Sequence, residues 1–189
     1  MLKPIYTIDQ IANFLINTYW MSIFGEHTGP EQPHHFATNT ITYNISTLTP
    51  QGQLFARAAL QAWSDVCNVT FVEVSGTAQI KFTDDQPGAF SGYTATNGVT
   101  TSAYVNVSKA EFTDTIFGSP TFNAFLHEIG HTLGLGHAGP YAGLSSYSAD
   151  TAGGGNNIYL NDTQAYSVMS YFGGGEFDSS NRQGSTPRI

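Results

Sequence analysis

The sequence predicts an α/β fold: a twisted mixed sheet of about five strands with helices packed on it, followed by an irregular C-terminal lobe. Three observations predict it. Helical periodicity marks three segments of the 189 residues, β-branched and aromatic runs lie between them, and beyond Gly134 neither pattern persists.

Thr7-Ile8-Asp9-Gln10 reads as a capping box, and Ile8, Ile11, Ala12, Leu15, Ile16 and Tyr19 follow at helical spacing, so a first helix spans about residues 8–20. Gly25, Gly29, Pro30 and Pro33 break that pattern, and residues 25–37 are expected to form a loop. Ile41, Tyr43 and Ile45 then alternate as a strand. Thr49-Pro50 is an N-cap followed by Pro at the first helical position, opening a second helix with the apolar face Leu54, Phe55, Ala58, Ala59, Ala62, Trp63 and Val66. Val69–Val74 and Ala78–Phe82 are β-branched and aromatic enough to be strands, and Ala89–Thr96 and Thr101–Val107 make two more. The order strand, helix, strand, strand requires at least one crossover helix. Ser119-Pro120 repeats the cap signal and starts a third helix through Phe122, Phe125, Ile129 and Leu133, stopping at Gly134. The reading is one domain over 1–189, with a sheet-and-helix lobe over about 1–136 and a loop lobe over about 137–189.

Composition removes several function classes. Six Lys+Arg against 14 Asp+Glu give a formal charge of −8, which excludes a nucleic-acid binder that needs a basic stripe. Cys67 is the one cysteine, so neither an intrachain disulfide nor a cysteine-based zinc cluster is available. No run approaches the length of a membrane span, and Met1-Leu2-Lys3-Pro4 lacks the apolar core of a signal peptide.

The third helix carries His127-Glu128-Ile129-Gly130-His131-Thr132-Leu133-Gly134-Leu135-Gly136-His137. Four residues apart, His127 and His131 stand on the same helix face and can share one metal ion. Glu128, one residue round, can reach a water on that metal without ligating it. Gly134 allows the left-handed turn that returns His137 to the same point. Three nitrogen ligands leave one tetrahedral position open, the pattern of a catalytic zinc site. A bare histidine pair on a helix is commonplace, but chance occurrence of the whole motif is on the order of 10⁻⁵ to 10⁻⁴ in a chain of ordinary composition.

Thirty-two residues beyond His137 comes Ser167-Val168-Met169-Ser170-Tyr171. The elongated histidine motif followed by such a methionine resembles the metzincin zinc peptidases. Tyr171 narrows the likeness to astacins and serralysins, and the single cysteine excludes the disulfide-dependent astacins. His127 to Gly136, Gln164 to Phe172, Ala59 to Val66 and the Thr7–Gln10 opening all look like a serralysin, a likeness over about residues 7–172. The resemblance implies an α+β zincin-like fold with an active-site helix, a C-terminal lobe across a cleft, and a zinc endopeptidase. His127, His131 and His137 would be the ligands, Glu128 the general base, Tyr171 the oxyanion stabiliser and Met169 an apolar floor that does not ligate. It also implies an extended peptide or protein substrate added to an edge strand, for which Ala89–Thr96 is the candidate, an extracellular location, and a monomer.

Three departures accompany the likeness. Ala138 stands where serralysins usually have proline; no calcium-binding repeat follows the methionine; and the lead before Thr7 shows no inhibitory prosegment. The chain is thus read as a catalytic module, a minimal member or a fragment, and calcium dependence stays open. Gly153-Gly154-Gly155-Asn156-Asn157 is read as a flexible connection, and His34-His35 as exposed loop histidines rather than a second metal site. The competing functions are a catalytically silent zinc-containing peptide-binding module and an inactive truncated form. Glu128 argues against the first, because only chemistry needs it.

Overall fold

Proline-initiated helices and a six-stranded sheet build Gln32–Leu135, one of two units into which the chain divides; the other is Met1–Glu31 with Gly136–Ile189. In the computed structural model the residues described are 1–21, 33–112 and 117–177. Most of the expected 25–37 loop and the tail beyond Phe177 lie outside them.

The sheet unit follows the expected order. β1 is His35–Phe36, β2 Thr40–Asn44, α2 Pro50–Val66, β3 Thr70–Glu73, β4 Ile80–Thr83, β5 Ala89–Thr96, β6 Val99–Val107 and α3 Pro120–Thr132. The strands lie in the order β1-β6-β4-β2-β3 with parallel pairings throughout, and β5 is antiparallel on β6. α2 is the crossover that parallel β2 and β3 require. A two-residue strand such as β1 is too short to leave a periodic signal, which is why that stretch read as loop. β5 and β6 are joined by Asn97-Gly98, both left-handed (φ 53° and 76°), as a type I′ hairpin demands. Among the described residues β5 pairs only with β6, so it lies at the sheet's edge.

Thr49 and Ser119 cap α2 and α3 through their hydroxyls, which accept from the backbone N–H of Gly52 and Phe122. The buried face of α2 differs from the expected one. Gly52, Phe55, Ala56, Ala59 and Leu60 turn inward, while Leu54 and Val66 are exposed. The row of small residues wins because it allows close approach: a Cβ on Gly52 would fall 3.2 Å from the Phe112 ring. Phe55, Leu60, Ile41, Ile80, Phe82, Val105 and Val107 pack with Phe125 and Ile129 of α3 into one core. A fully buried side chain of this kind contributes about 1.5–3 kcal/mol relative to exposure, so Phe125 and Ile129 hold α3 firmly against the sheet.

In the other unit the capping box forms as expected: Thr7 Oγ1 accepts from Gln10 N–H, and Gln10 Oε1 from Thr7 N–H. The helix α1 (Ile8–Asn13) continues through a π-helical stretch, Phe14–Thr18, into Tyr19–Met21. Within that stretch the Leu15 carbonyl accepts the Gly136 N–H at 2.8 Å. Residues 136–177 contain no helix or strand, and their backbone is held mainly by turns and side-chain hydrogen bonds.

Candidate active site

α3 presents its two histidines side by side, with Nε2 of His127 and Nε2 of His131 3.0 Å apart. Two nitrogens on one tetrahedral zinc stand about 3.3 Å apart, given bonds of about 2.0–2.1 Å, so the pair fits that ion. The end of the helix fixes one of the rings. Leu135 N–H donates to Gly130 O and Gly134 N–H to His131 O, each at 3.0 Å, with Gly134 at φ 99°: a Schellman turn. That turn aims the Leu135 carbonyl at His131 Nδ1, 2.8 Å away, which selects the tautomer whose Nε2 can bind metal.

Glu128 is buried at 7% exposure on the same helix. Burial pushes its carboxyl up to about 7, against the opposing effect of a 2.7 Å hydrogen bond from Ser91 Oγ to Oε2.

In the unit containing Gly136–Ile189, His137 is buried among aromatic rings. Tyr19 Oη lies 3.0 Å from its Nδ1, the Tyr141 ring stacks on it at 5.6 Å, and Tyr171 meets it edge-on at 4.5 Å. With Nδ1 in that contact, Nε2 is the ring nitrogen that could bind a metal. Met169 is fully buried, and its carbonyl accepts the Ala138 N–H at 3.1 Å, so the methionine turn is tied to the residue after His137. Tyr171 is 38% exposed.

Sequence reasoning missed the residues that hold these groups. Asp162, fully buried, accepts from Tyr141 Oη (2.9 Å) and Ser170 Oγ (2.8 Å) on one oxygen, linking the methionine turn to the ring that stacks on His137. One signal was available: Asp162 is the one acidic residue from Thr151 to Gly175. Ser91 and Tyr19 carry no local signal. Of the adjacent histidines, His35 is exposed as expected, but His34 is buried, bonded through Nδ1 to Thr100 Oγ1 (2.8 Å) and stacked on Tyr93. The strand alternation entering β1 turns one in and the next out.

A mostly parallel sheet backed by a histidine-bearing helix is the architecture of a zincin-like metzincin peptidase domain. A matrixin family model matches residues 35–165, and the chain belongs to that peptidase family, with a serralysin-like domain. Serralysin C of Dickeya chrysanthemi is 38% identical over 93% of this chain and 41% of its own length. Serralysin A of the same organism is 36% identical over 93% and 40%, and metalloprotease AprA of Pseudomonas entomophila 30% identical over 90% and 38%. The chain spans about two fifths of the length of these relatives. No helix among the described residues is long and apolar enough to cross a membrane.

Proposed function

We propose that this chain is a zinc endopeptidase in which His127, His131 and His137, each offering one ring nitrogen, hold the ion. Glu128 is the general base, Tyr171 the oxyanion donor and Met169 the apolar floor. The observation that carries the reading is the pair of imidazole nitrogens 3.0 Å apart on α3 with the buried Glu128 carboxyl beside them in sequence. When bound, zinc supplies Lewis acidity that activates water and polarises a carbonyl. Glu128 takes a proton from the attacking water and returns it to the leaving amine. The Tyr171 phenol donates a hydrogen bond to the carbonyl oxygen as negative charge develops. The substrate is an extended peptide or protein segment that adds to the edge of β5, where backbone groups supply affinity independent of sequence. The relatives' names support proteolysis, and the family resemblance an extracellular location.

The test compares Glu128→Ala with the unaltered chain for zinc content and casein hydrolysis. Zinc is expected to stay at parity while turnover falls at least about 10²-fold. Equal turnover overturns the assignment. An unaltered chain that binds zinc and hydrolyses nothing favours the silent module.

A further inference from the structure

We propose that Ser91 is a positioning residue for Glu128, a role that rests on the general-base reading above. Its hydroxyl donates to Glu128 Oε2 at 2.7 Å, and among the described residues it is the hydrogen bond the carboxyl receives. Both ends stand on rigid supports. Ser91 pairs in the β5–β6 ladder with Val105, which is fully buried, and Glu128 is followed on α3 by the fully buried Ile129. A glutamate has three rotatable bonds, and its helix restrains only the first. The Ser91 bond restrains the remaining two and so fixes how the carboxyl group is turned.

The alternation of β5 explains why Ser91 has this part and its neighbours do not. A Cβ on Gly92 would fall 2.6 Å from the Tyr104 ring, so the face of β5 carrying Gly92 is covered by an aromatic from β6. Phe90 on that face meets Tyr104 edge-on. Ser91 and Tyr93 share the opposite face, where Tyr93 is stacked on His34 and Ser91 reaches Glu128. The strand proposed to seat the peptide therefore also sets the orientation of the base.

Ser91→Ala, Ser91→Thr and Glu128→Asp are measured, the first also combined with Glu128→Asp. Ser91→Ala is expected to lower kcat about 10-fold to 100-fold, with KM and zinc content within twofold of the parent. Ser91→Thr, which keeps the hydroxyl, restores most of that loss. In the Glu128→Asp background, whose shorter side chain no longer reaches the hydroxyl, Ser91→Ala costs less than twofold more. Unchanged kcat in Ser91→Ala, or the same fold-loss in both backgrounds, overturns the assignment. So does a loss of kcat that accompanies a lost unfolding transition. If Glu128→Ala is inactive and Ser91→Ala matches the parent, this inference alone fails; an active Glu128→Ala removes both.

Discussion

Tyr19 Oη and His137 Nδ1 lie 3.0 Å apart although 118 residues separate them in the chain. Tyr19 follows the π-helical stretch Phe14–Thr18, in which the Leu15 carbonyl accepts the Gly136 N–H, so the helix and the segment leading to His137 are clamped together. π-Bulges recur at functional sites because they redirect a carbonyl that an α-helix would consume. Gly136 is needed at that clamp, since a Cβ there would fall 2.1 Å from the Tyr19 ring.

On the proposed ligand set, Tyr19→Phe removes the partner that orients His137 while keeping the ring. Zinc affinity is expected to weaken about 10-fold or more, read by competition with a chromophoric chelator. Affinity within twofold of the parent would show that the rings of Tyr141 and Tyr171 hold His137 unaided.

Gly134→Ala is expected to be far more damaging than Gly88→Ala. Both positions have positive φ, 99° and 82°, which costs a non-glycine residue about 1–2 kcal/mol. At Gly88 nothing lies near an added Cβ, whereas at Gly134 it would fall 2.1 Å from the His34 carbonyl oxygen, and backbone must move. Urea unfolding should therefore give a loss above about 2 kcal/mol for Gly134→Ala and no more than about 1–2 kcal/mol for Gly88→Ala. Equal losses would mean the Schellman turn shifts away from His34 without cost.

What could be read in the sequence was local. The caps at Thr7, Thr49 and Ser119 each bond a backbone group three residues on, and the spacing of His127 and His131 is one helical turn. Five strands were legible because alternation and β-branching act within a few residues. What could not be read depends on register and packing across long separations. Ser91 meets Glu128 because of how β5 pairs and where α3 lands, and Asp162 meets Tyr141 in a segment with no periodicity at all. The inward face of α2 was misjudged for the same reason: Leu54 and Leu60 are equally apolar, and only the sheet decides between them.

Asp162 predicts an unusual pH dependence of stability. Burial pushes its carboxyl up from 3.8 to about 6, opposed by the Ser170 and Tyr141 hydrogen bonds and by the field of Lys3, with Tyr159 and Tyr147 as further ionisable neighbours. The folded chain thus keeps a proton that the unfolded chain has released, and this group makes stability fall as pH rises between about 4 and 6, then level off. Asp162→Asn cannot titrate, so its stability relative to the parent is expected to improve by about 2–3 kcal/mol from pH 4 to pH 7 in urea unfolding. His34, held down to about 4 by burial, titrates in the same window with opposite sense, but it is common to both chains and cancels in the comparison. A difference that does not change with pH would show that Asp162 is ionised throughout.

Lys3 predicts where the glycine-rich loop gets its order. Read as a flexible connection, Gly153–Asn157 instead surrounds the Lys3 ammonium, which donates to Gly155 O (3.2 Å), Asn157 O and Asn157 Oδ1 (3.1 Å) and is itself buried. Asn157 Oδ1 also accepts the Ser148 N–H, its Nδ2 donates to Tyr159 O, and Lys3 N–H donates to Ala149 O. Three convergent oxygens would attract any hard cation, and here the side chain already supplies the positive charge. Lys3→Met keeps the apolar stem but takes the ammonium donor from Gly155 O and Asn157 O, while Asn157 Oδ1 keeps the Ser148 N–H, at a cost of about 1–3 kcal/mol for each acceptor that water does not reach. A loss of about 2–4 kcal/mol in urea unfolding is expected, while millimolar calcium should leave the parent's transition where it was, because the ammonium occupies the loop. Calcium that stabilised the parent but not Lys3→Met would show that the loop needs Lys3 for a different reason.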